Sequence, residues 1–219
     1  MKVSIVIPCY NMKDYLKETV DSALAQAYKN FEVIVIDDGS TDDVQSINGV
    51  TWIRQENQGL NSARNAGAKT STGDLLLFLD ADDKLDPTYL QKTVPLMTAG
   101  VGIVSTDMQY FGLSNLRIPT AETLQQQKVS NRMPYCVLIR REAFEQAGGY
   151  TMNPDIWAYG DWNLSLSILK RGWRCAVLRE PLFNYRIRSN SMRTIASQTH
   201  EQMCEAIKRN HPDLFSETK

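Results

Sequence analysis

The sequence predicts an α/β fold with a mostly parallel central sheet, and three observations carry that expectation. Apolar runs at residues 3–7 and 75–79 read as strands buried on both faces, with a further strand over 31–36. Segments of helical apolar spacing lie between them, and the resulting β-α-β-α-β order implies parallel pairing through right-handed crossovers. The runs also stop at turn residues or carboxylates: Leu75, Leu76, Leu77, Phe78 and Leu79 give way to Asp80, Ala81, Asp82 and Asp83. Ligands of open α/β sheets bind beyond the carboxyl ends of the strands, so these exits are where a site is expected. A carboxylate cluster there suits an oxygen-seeking divalent cation, or else a solvated acidic turn.

Taken in order, the first strand ends at Pro8, Cys9, Tyr10 and Asn11, since Pro8 cannot continue a central ladder and Asn11 can cap the next helix. Tyr15, Leu16, Val20, Ala23 and Leu24 recur at helical spacing, predicting a helix over 14–26. The strand over 31–36 runs into Asp37, Asp38 and Gly39, and residues 50–54 form a weaker strand. A helix over 59–69 carries Ser62, Ala63, Ala66, Gly67 and Ala68, small enough for close packing on a sheet. After the 75–79 strand, Asp86 is expected to cap a helix with Pro87 in its first turn and a break at Pro95. Residues 101–110 read as a strand, 111–133 as a flexible loop or lid, 136–139 as a short strand, and 142–146 as a short helix stopped by Gly148 and Gly149. Asp161 is expected to cap a helix ending at Gly172, followed by a last strand over 173–178 and a terminal helix over 201–209. With no repeat or linker, the 219 residues read as one domain.

Composition narrows the function. A net charge of −1 gives no support to nucleic-acid binding. Seven Lys and Arg residues fall between Lys170 and Arg193, with Glu180 the lone acid among them, a local excess suited to phosphates, a membrane surface or a solvated face. Four widely spaced cysteines form no CxxC pair and read as free thiols of a cytoplasmic protein. His200 and His211 read as surface residues rather than ligands. No apolar run reaches the ~18 residues of a transmembrane helix, and residues 3–7 are too short for a leader and read as a strand.

The ordered set of strand exits (Pro8-Cys9-Tyr10-Asn11, Asp37-Asp38-Gly39-Ser40, Asp80-Ala81-Asp82-Asp83), together with Asn57-Gln58-Gly59 and Ala63-Arg64-Asn65, resembles the family 2 glycosyltransferases over roughly residues 3–190. That resemblance implies the GT-A fold, a Rossmann-like α/β/α sandwich, with about residues 1–100 binding the nucleotide sugar and about 101–219 the acceptor. Its implied roles are specific. Pro8 and Tyr10 would line the base, with Asn11 and Arg64 also on the nucleotide side. Asp38 would accept a hydrogen bond from the base, which suits uracil. Asp37 would orient a helix or pair with Arg64. Asp80 would meet the ribose or the metal's water shell, and Asp82 would bind Mn2+ or Mg2+ directly, with Asp83 behind it. Asp161, in Tyr159-Gly160-Asp161-Trp162, would be the catalytic base, although Gly160 stands where family members commonly carry Glu. Arg188 stands near the usual metal-ligand His; with Arg186 on the same side of an extended segment, it is expected to contact the diphosphate.

The expected function is therefore an inverting, metal-dependent and non-processive transfer from a nucleotide-diphosphate sugar, UDP first, to a glycan or glycolipid hydroxyl. Processive members carry Gln-x-x-Arg-Trp after the base, and that motif is absent. The expected partners are the nucleotide-sugar donor and that acceptor, without nucleic acid, at the cytosolic face of a membrane with peripheral association. Two rivals remain: a nucleotide-sugar-binding module without turnover, kept open by Gly160 and the missing His, and a sugar nucleotidyltransferase, which would need a Gly-rich basic loop after the first strand. A dinucleotide oxidoreductase is disfavoured because no GxGxxG follows that strand.

Overall fold

The computed structural model describes residues 1–189 and 199–215. In chain order the elements are β1 (Val3–Cys9), α1 (Lys13–Leu24), β2 (Phe31–Asp37), β3 (Thr51–Arg54), α2 (Leu60–Thr70), β4 (Leu75–Phe78), β5 (Lys84–Leu85), α3 (Tyr89–Thr93), β6 (Val101–Gly112), β7 (Arg117–Ile118), α4 (Leu124–Val129), β8 (Leu138–Arg140), α5 (Arg141–Ala147), α6 (Gly160–Leu169), β9 (Arg174–Ile187), α7 (His200–Asn210) and α8 (Pro212–Phe215). They build a nine-stranded sheet in the order β3-β2-β1-β4-β8-β6-β9-β5, with β7 added against β6. The β3-β2-β1-β4 half is parallel, β8 enters antiparallel to β4, and β6 and β9 pair parallel again. Following the pairings, β1, β2, β3, β4, β6 and β9 point one way, which bears out the mostly parallel expectation.

Alternate side chains of the buried strands feed two cores on opposite faces. Val3, Ile5, Ile7, Leu75, Leu77 and Leu79 pack against Leu16, Val20 and Ala23 of α1. Val6, Ile34, Ile36, Leu76 and Phe78 pack against α2, α5 and α6. The small residues of α2 do allow close approach: a Cβ on Gly67 would lie 2.2 Å from Val6 Cγ1, a collision. A third cluster, with Ile156, Trp162 and Leu166 against Ala206 and Ile207, docks α7 on α6.

Several expectations need correction. Asn11 does not cap α1; its side-chain oxygen accepts from the Thr41 N–H at 2.7 Å. Asp86 binds the Thr88 N–H and hydroxyl at 2.8 and 2.6 Å in a tight local turn, so the helix begins only at Tyr89. It passes into a 3-10 turn at Val94–Leu96, where Pro95 marks the expected break. Asp161 lies in the first turn of α6 and makes no cap; Tyr159 is at the cap position. Residues 111–133 contain β7 and α4 rather than a loop alone. Asp107, 2% exposed on β6, draws this segment in through Arg117 (2.7 Å), Arg179 (3.3 Å) and the Thr120 N–H (3.2 Å). The Thr123 and Gln126 capping box starts α4, and Trp162 Nε1–H donates to Gln127 O at 2.7 Å. The last strand also runs nine residues beyond Leu178, to Ile187, because its pairing with β6 continues past Pro181 through a register irregularity.

Candidate active site

The β2-β1-β4 order sets three strand exits side by side, and a cleft of about 330 Å³ opens there. Pro8, Tyr10, Asp38, Asp80, Asp82 and Arg188 all line it. A second cleft, about 610 Å³, shares Leu60, Asp80 and Tyr185 with the first and adds Arg64, Tyr135, Asp161 and His200. The candidate site residues, Asn11 apart, thus fall on two joined clefts with Asp80 at the junction. Asn11 lies at positive φ (54°) outside both linings, donating its N–H to Ser40 Oγ at 3.0 Å and tying the first exit to the second.

The carboxylates have distinct tasks. Asp37 is 1% exposed and pairs with Arg54 at 2.5 Å, not with Arg64, while accepting the Ser40 N–H at 2.9 Å. Asp38 accepts from the Gln58 N–H (3.0 Å), the Gly59 N–H (2.8 Å) and Gln55 Nε2 (2.7 Å), so it anchors the loop before α2 as well as facing the cleft. Asp80 is gripped by Arg64 Nη2 at 2.7 Å. Arg64 is 4% exposed and lies between the rings of Tyr135 and Tyr150, at 5.0 and 4.9 Å. Burial opposes its charge, but Asp80 and the tyrosines raise its pKa above the ordinary value. Asp82 pairs with Arg188 at 2.6 Å; burial and then the Asp80 charge still push its pKa up. Asp83 faces inward, accepting from Tyr135 Oη and the Arg186 N–H at 2.6 Å each, and burial raises its pKa well above the usual range. It fastens β9 beneath the cleft instead of facing it.

Asp161, on α6, accepts from Asn131 Nδ2 at 3.2 Å, and burial raises its pKa. The glycine before it has a steric cause: a Cβ at Gly160 would lie 2.6–2.9 Å from three atoms of the Asn61 carboxamide. Asn61 itself donates to Thr151 O at 3.0 Å. Arg186 is held at several points, by Nε to Asp82 O (2.7 Å), an ion pair with Glu18, and stacking on Tyr15 and Phe111. Arg188 stacks on the same Tyr15 ring at 5.0 Å, so the two arginines do share a side.

Sequence reasoning missed Tyr135, Asn131, Asn61 and His200. His200 is exposed, as expected of a surface residue, and lies on the second cleft, 2.6 Å from Tyr159 Oη. His211 is 1% exposed, with Nε2 2.9 Å from Asn163 Oδ1. No local signal marked these residues, because their partners are 30–90 positions away. Among the described residues no three His, Cys, Asp or Glu side chains gather as a metal site. Asp80 and Asp82 nonetheless fit a divalent cation that takes only one or two carboxylates and completes its shell with phosphates.

The fold and both clefts invite comparison with known proteins. An "Uncharacterized glycosyltransferase alr2836" of Nostoc sp. is 31% identical over 231 residues, covering 92% of this chain and 70% of that protein. Glycosyltransferase GlyA of Streptococcus pneumoniae is 37% identical over 98 residues, covering 41% of this chain, which spans only 14% of that protein. Among solved structures, S. aureus TarS 1–349 in complex with UDP-GlcNAc superposes with a TM-score of 0.79 at 19% identity, covering 99% of this chain and 68% of that one. Mannosyltransferase PcManGT from Pyrobaculum calidifontis, in complex with GDP-Man and Mn2+, gives 0.69 at 18%, covering 97% and 68%. These likenesses bear out the GT-A fold. The family described as Glycosyl transferase family 2 matches residues 4–148. With the strand exits, the carboxylates and this match in agreement, the chain belongs to glycosyl transferase family 2.

Proposed function

We propose that this chain moves a sugar from a UDP-sugar to a hydroxyl of a glycan or glycolipid, with inversion and with a divalent metal. The observation that carries the reading is the junction of the two clefts at Asp80, with Asp82 and Arg188 on one side and Asp161 on the other. In this reading the first cleft takes the donor. The Tyr10 ring, 46% exposed, offers the base a stacking face, and Asp38 offers it an acceptor. Arg64 holds Asp80 toward the sugar diphosphate. Asp82 and Asp80 would hold Mn2+ or Mg2+, which supplies positive charge to the departing diphosphate.

The second cleft takes the acceptor among Tyr110, Tyr135, Tyr159 and Tyr185, whose rings suit the apolar faces of sugar rings. Asp161 removes the acceptor hydroxyl proton as that oxygen bonds to the anomeric carbon. The bond to the diphosphate breaks on the opposite face, and its electron pair leaves with the phosphate. Burial moves Asp161 toward the pKa a base needs near neutrality, and Asn131 orients it. About residues 1–100 serve the donor and about 101–219 the acceptor, with Arg188 reaching back to the donor side. The UDP-GlcNAc complex of TarS supports a UDP donor, and the Mn2+ of PcManGT supports a metal. The basic segment from Lys170 onward suits peripheral contact with an anionic cytosolic membrane face. Among the described residues no helix is long and apolar enough to cross a membrane.

The test is UDP release from a panel of UDP-sugars with Mn2+ and glycan acceptors. Asp161→Asn should lower kcat by about 10²–10⁴ while UDP binding persists. Near-normal transfer in that variant would remove Asp161 as the base. Wild-type protein that binds UDP-sugars but never releases UDP would leave the binding-module reading.

A further inference from the structure

Two carboxylates of the donor cleft, Asp80 and Asp82, each pair with an arginine, and the two pairs differ in freedom. Arg64 is 4% exposed on α2 and clamped between two tyrosine rings while it holds Asp80. Arg188 lies just beyond the end of β9, with 22% of its side chain exposed and the Tyr15 ring on one side. It holds Asp82 Oδ2 through Nη2 at 2.6 Å, while its buried Nε makes no hydrogen bond among the described residues. A guanidinium fork is best satisfied by two parallel bonds to a planar or phosphate anion, so among the described residues Arg188 is only partly satisfied where it stands. Arg186 cannot move in the same way, because its backbone and side chain are fastened to Asp83, Asp82 and Glu18.

Asp80, Asp82, Arg64 and Arg188 together carry no net charge. A divalent cation placed on Asp82 would meet the Arg188 guanidinium beside it, and two cations on one carboxylate repel. The diphosphate that accompanies the metal offers the displaced guanidinium a better partner. We propose that Arg188 is the built-in counter-cation of Asp82, competes with the divalent metal for that carboxylate, and passes to the donor's diphosphate when the metal binds. The inference rests on the donor-site reading above. It makes metal and nucleotide mutually supportive: the metal frees the arginine for the diphosphate, and the diphosphate draws the arginine off the metal's ligand. Coupling of this kind is reciprocal by linkage.

The signature is a pair of effects with opposite signs. Arg188→Gln keeps a polar, though shorter, side chain and removes the charge. By calorimetry it should bind Mn2+ alone about 10-fold more tightly, because the competitor is gone, and UDP with Mn2+ about 10- to 100-fold more weakly. Uridine, which lacks phosphate, should bind as in the wild type. Arg188→Lys keeps the charge without the fork; it should keep most of the competition with Mn2+ yet still lose UDP affinity, and it carries the same readout should the Gln variant not fold. Unchanged or weaker Mn2+ binding in Arg188→Gln overturns the exchange, whatever happens to UDP. A wild-type chain that binds no UDP with Mn2+ overturns the donor-site reading itself. Tight wild-type UDP binding without the opposed pair of effects removes only the exchange.

Discussion

Gly160→Ala is the substitution whose outcome the structure decides against a simpler expectation. Helix propensity alone says that replacing glycine with alanine inside a helix stabilises by about 0.5–1 kcal/mol. Gly160 opens α6, where that gain is smaller. The new Cβ would lie 2.6, 2.7 and 2.9 Å from Oδ1, Nδ2 and Cγ of Asn61. All three distances are below normal contact, and the carboxamide is tethered to Thr151 O, so it cannot swing away freely. Overpacking of this kind costs about 1–3 kcal/mol. The net is a loss of about 1–2 kcal/mol, or about 2–8 °C in Tm for a chain of this size. The assay is chemical or thermal unfolding of four proteins: wild type, Gly160→Ala, Asn61→Ala and the double variant. In the Asn61→Ala background the glycine substitution should become neutral or mildly stabilising, giving a coupling of about 1–3 kcal/mol between the two positions. A Gly160→Ala protein more stable than wild type, with additive effects in the double variant, would refute the steric account. The same cycle bears on chemistry, since Asn61 fills the space that a glutamate beside Asp161, the proposed base, would need.

Two further outcomes arise from charge. Asn131→Ala removes a hydrogen bond that favours the Asp161 carboxylate, whose pKa burial already raises. A base must be deprotonated to act, so the acid limb of the kcat–pH profile should move to higher pH; an unmoved limb would separate Asn131 from the base. Against the opposing effect of burial, hydrogen bonds from Lys2, Ser4 and Thr72 hold the Glu32 carboxyl down at about 2, below its ordinary 4.5. A folded value below the unfolded one means these bonds stabilise above pH 4.5 and are lost as pH falls from 4.5 through 2. Glu32→Gln should therefore flatten the stability–pH curve across that window in denaturant titrations; an unchanged curve would assign the acid sensitivity elsewhere.

The sheet's parallel half was legible in the chain because the information is local. A strand buried on both faces must be apolar throughout, as Leu75 to Leu79 are, and the chain must turn where that run ends. Small residues on α2 announced close packing, and Gly67 meets Val6 as expected. The same locality explains why the strand exits singled out residues that line one cleft. The signal for α4 was also present, since Thr123 and Gln126 have capping-box spacing, but it was masked by a polar stretch without apolar period.

Only the tertiary structure decided which cation each carboxylate meets. Asp37 pairs with Arg54, Asp80 with Arg64 and Asp82 with Arg188, across separations of 17, 16 and 106 positions. Charge pairing depends on distance in space, and an α/β sheet places residues by strand order rather than by sequence order. The extension of β9 to Ile187 depended on β6 lying beside it, and the arrival of His200 at the second cleft depended on α7 docking against α6. The glycine at 160 had no meaning in the sequence beyond a departure from a resemblance; it became intelligible once Asn61 was found in the space its side chain would take.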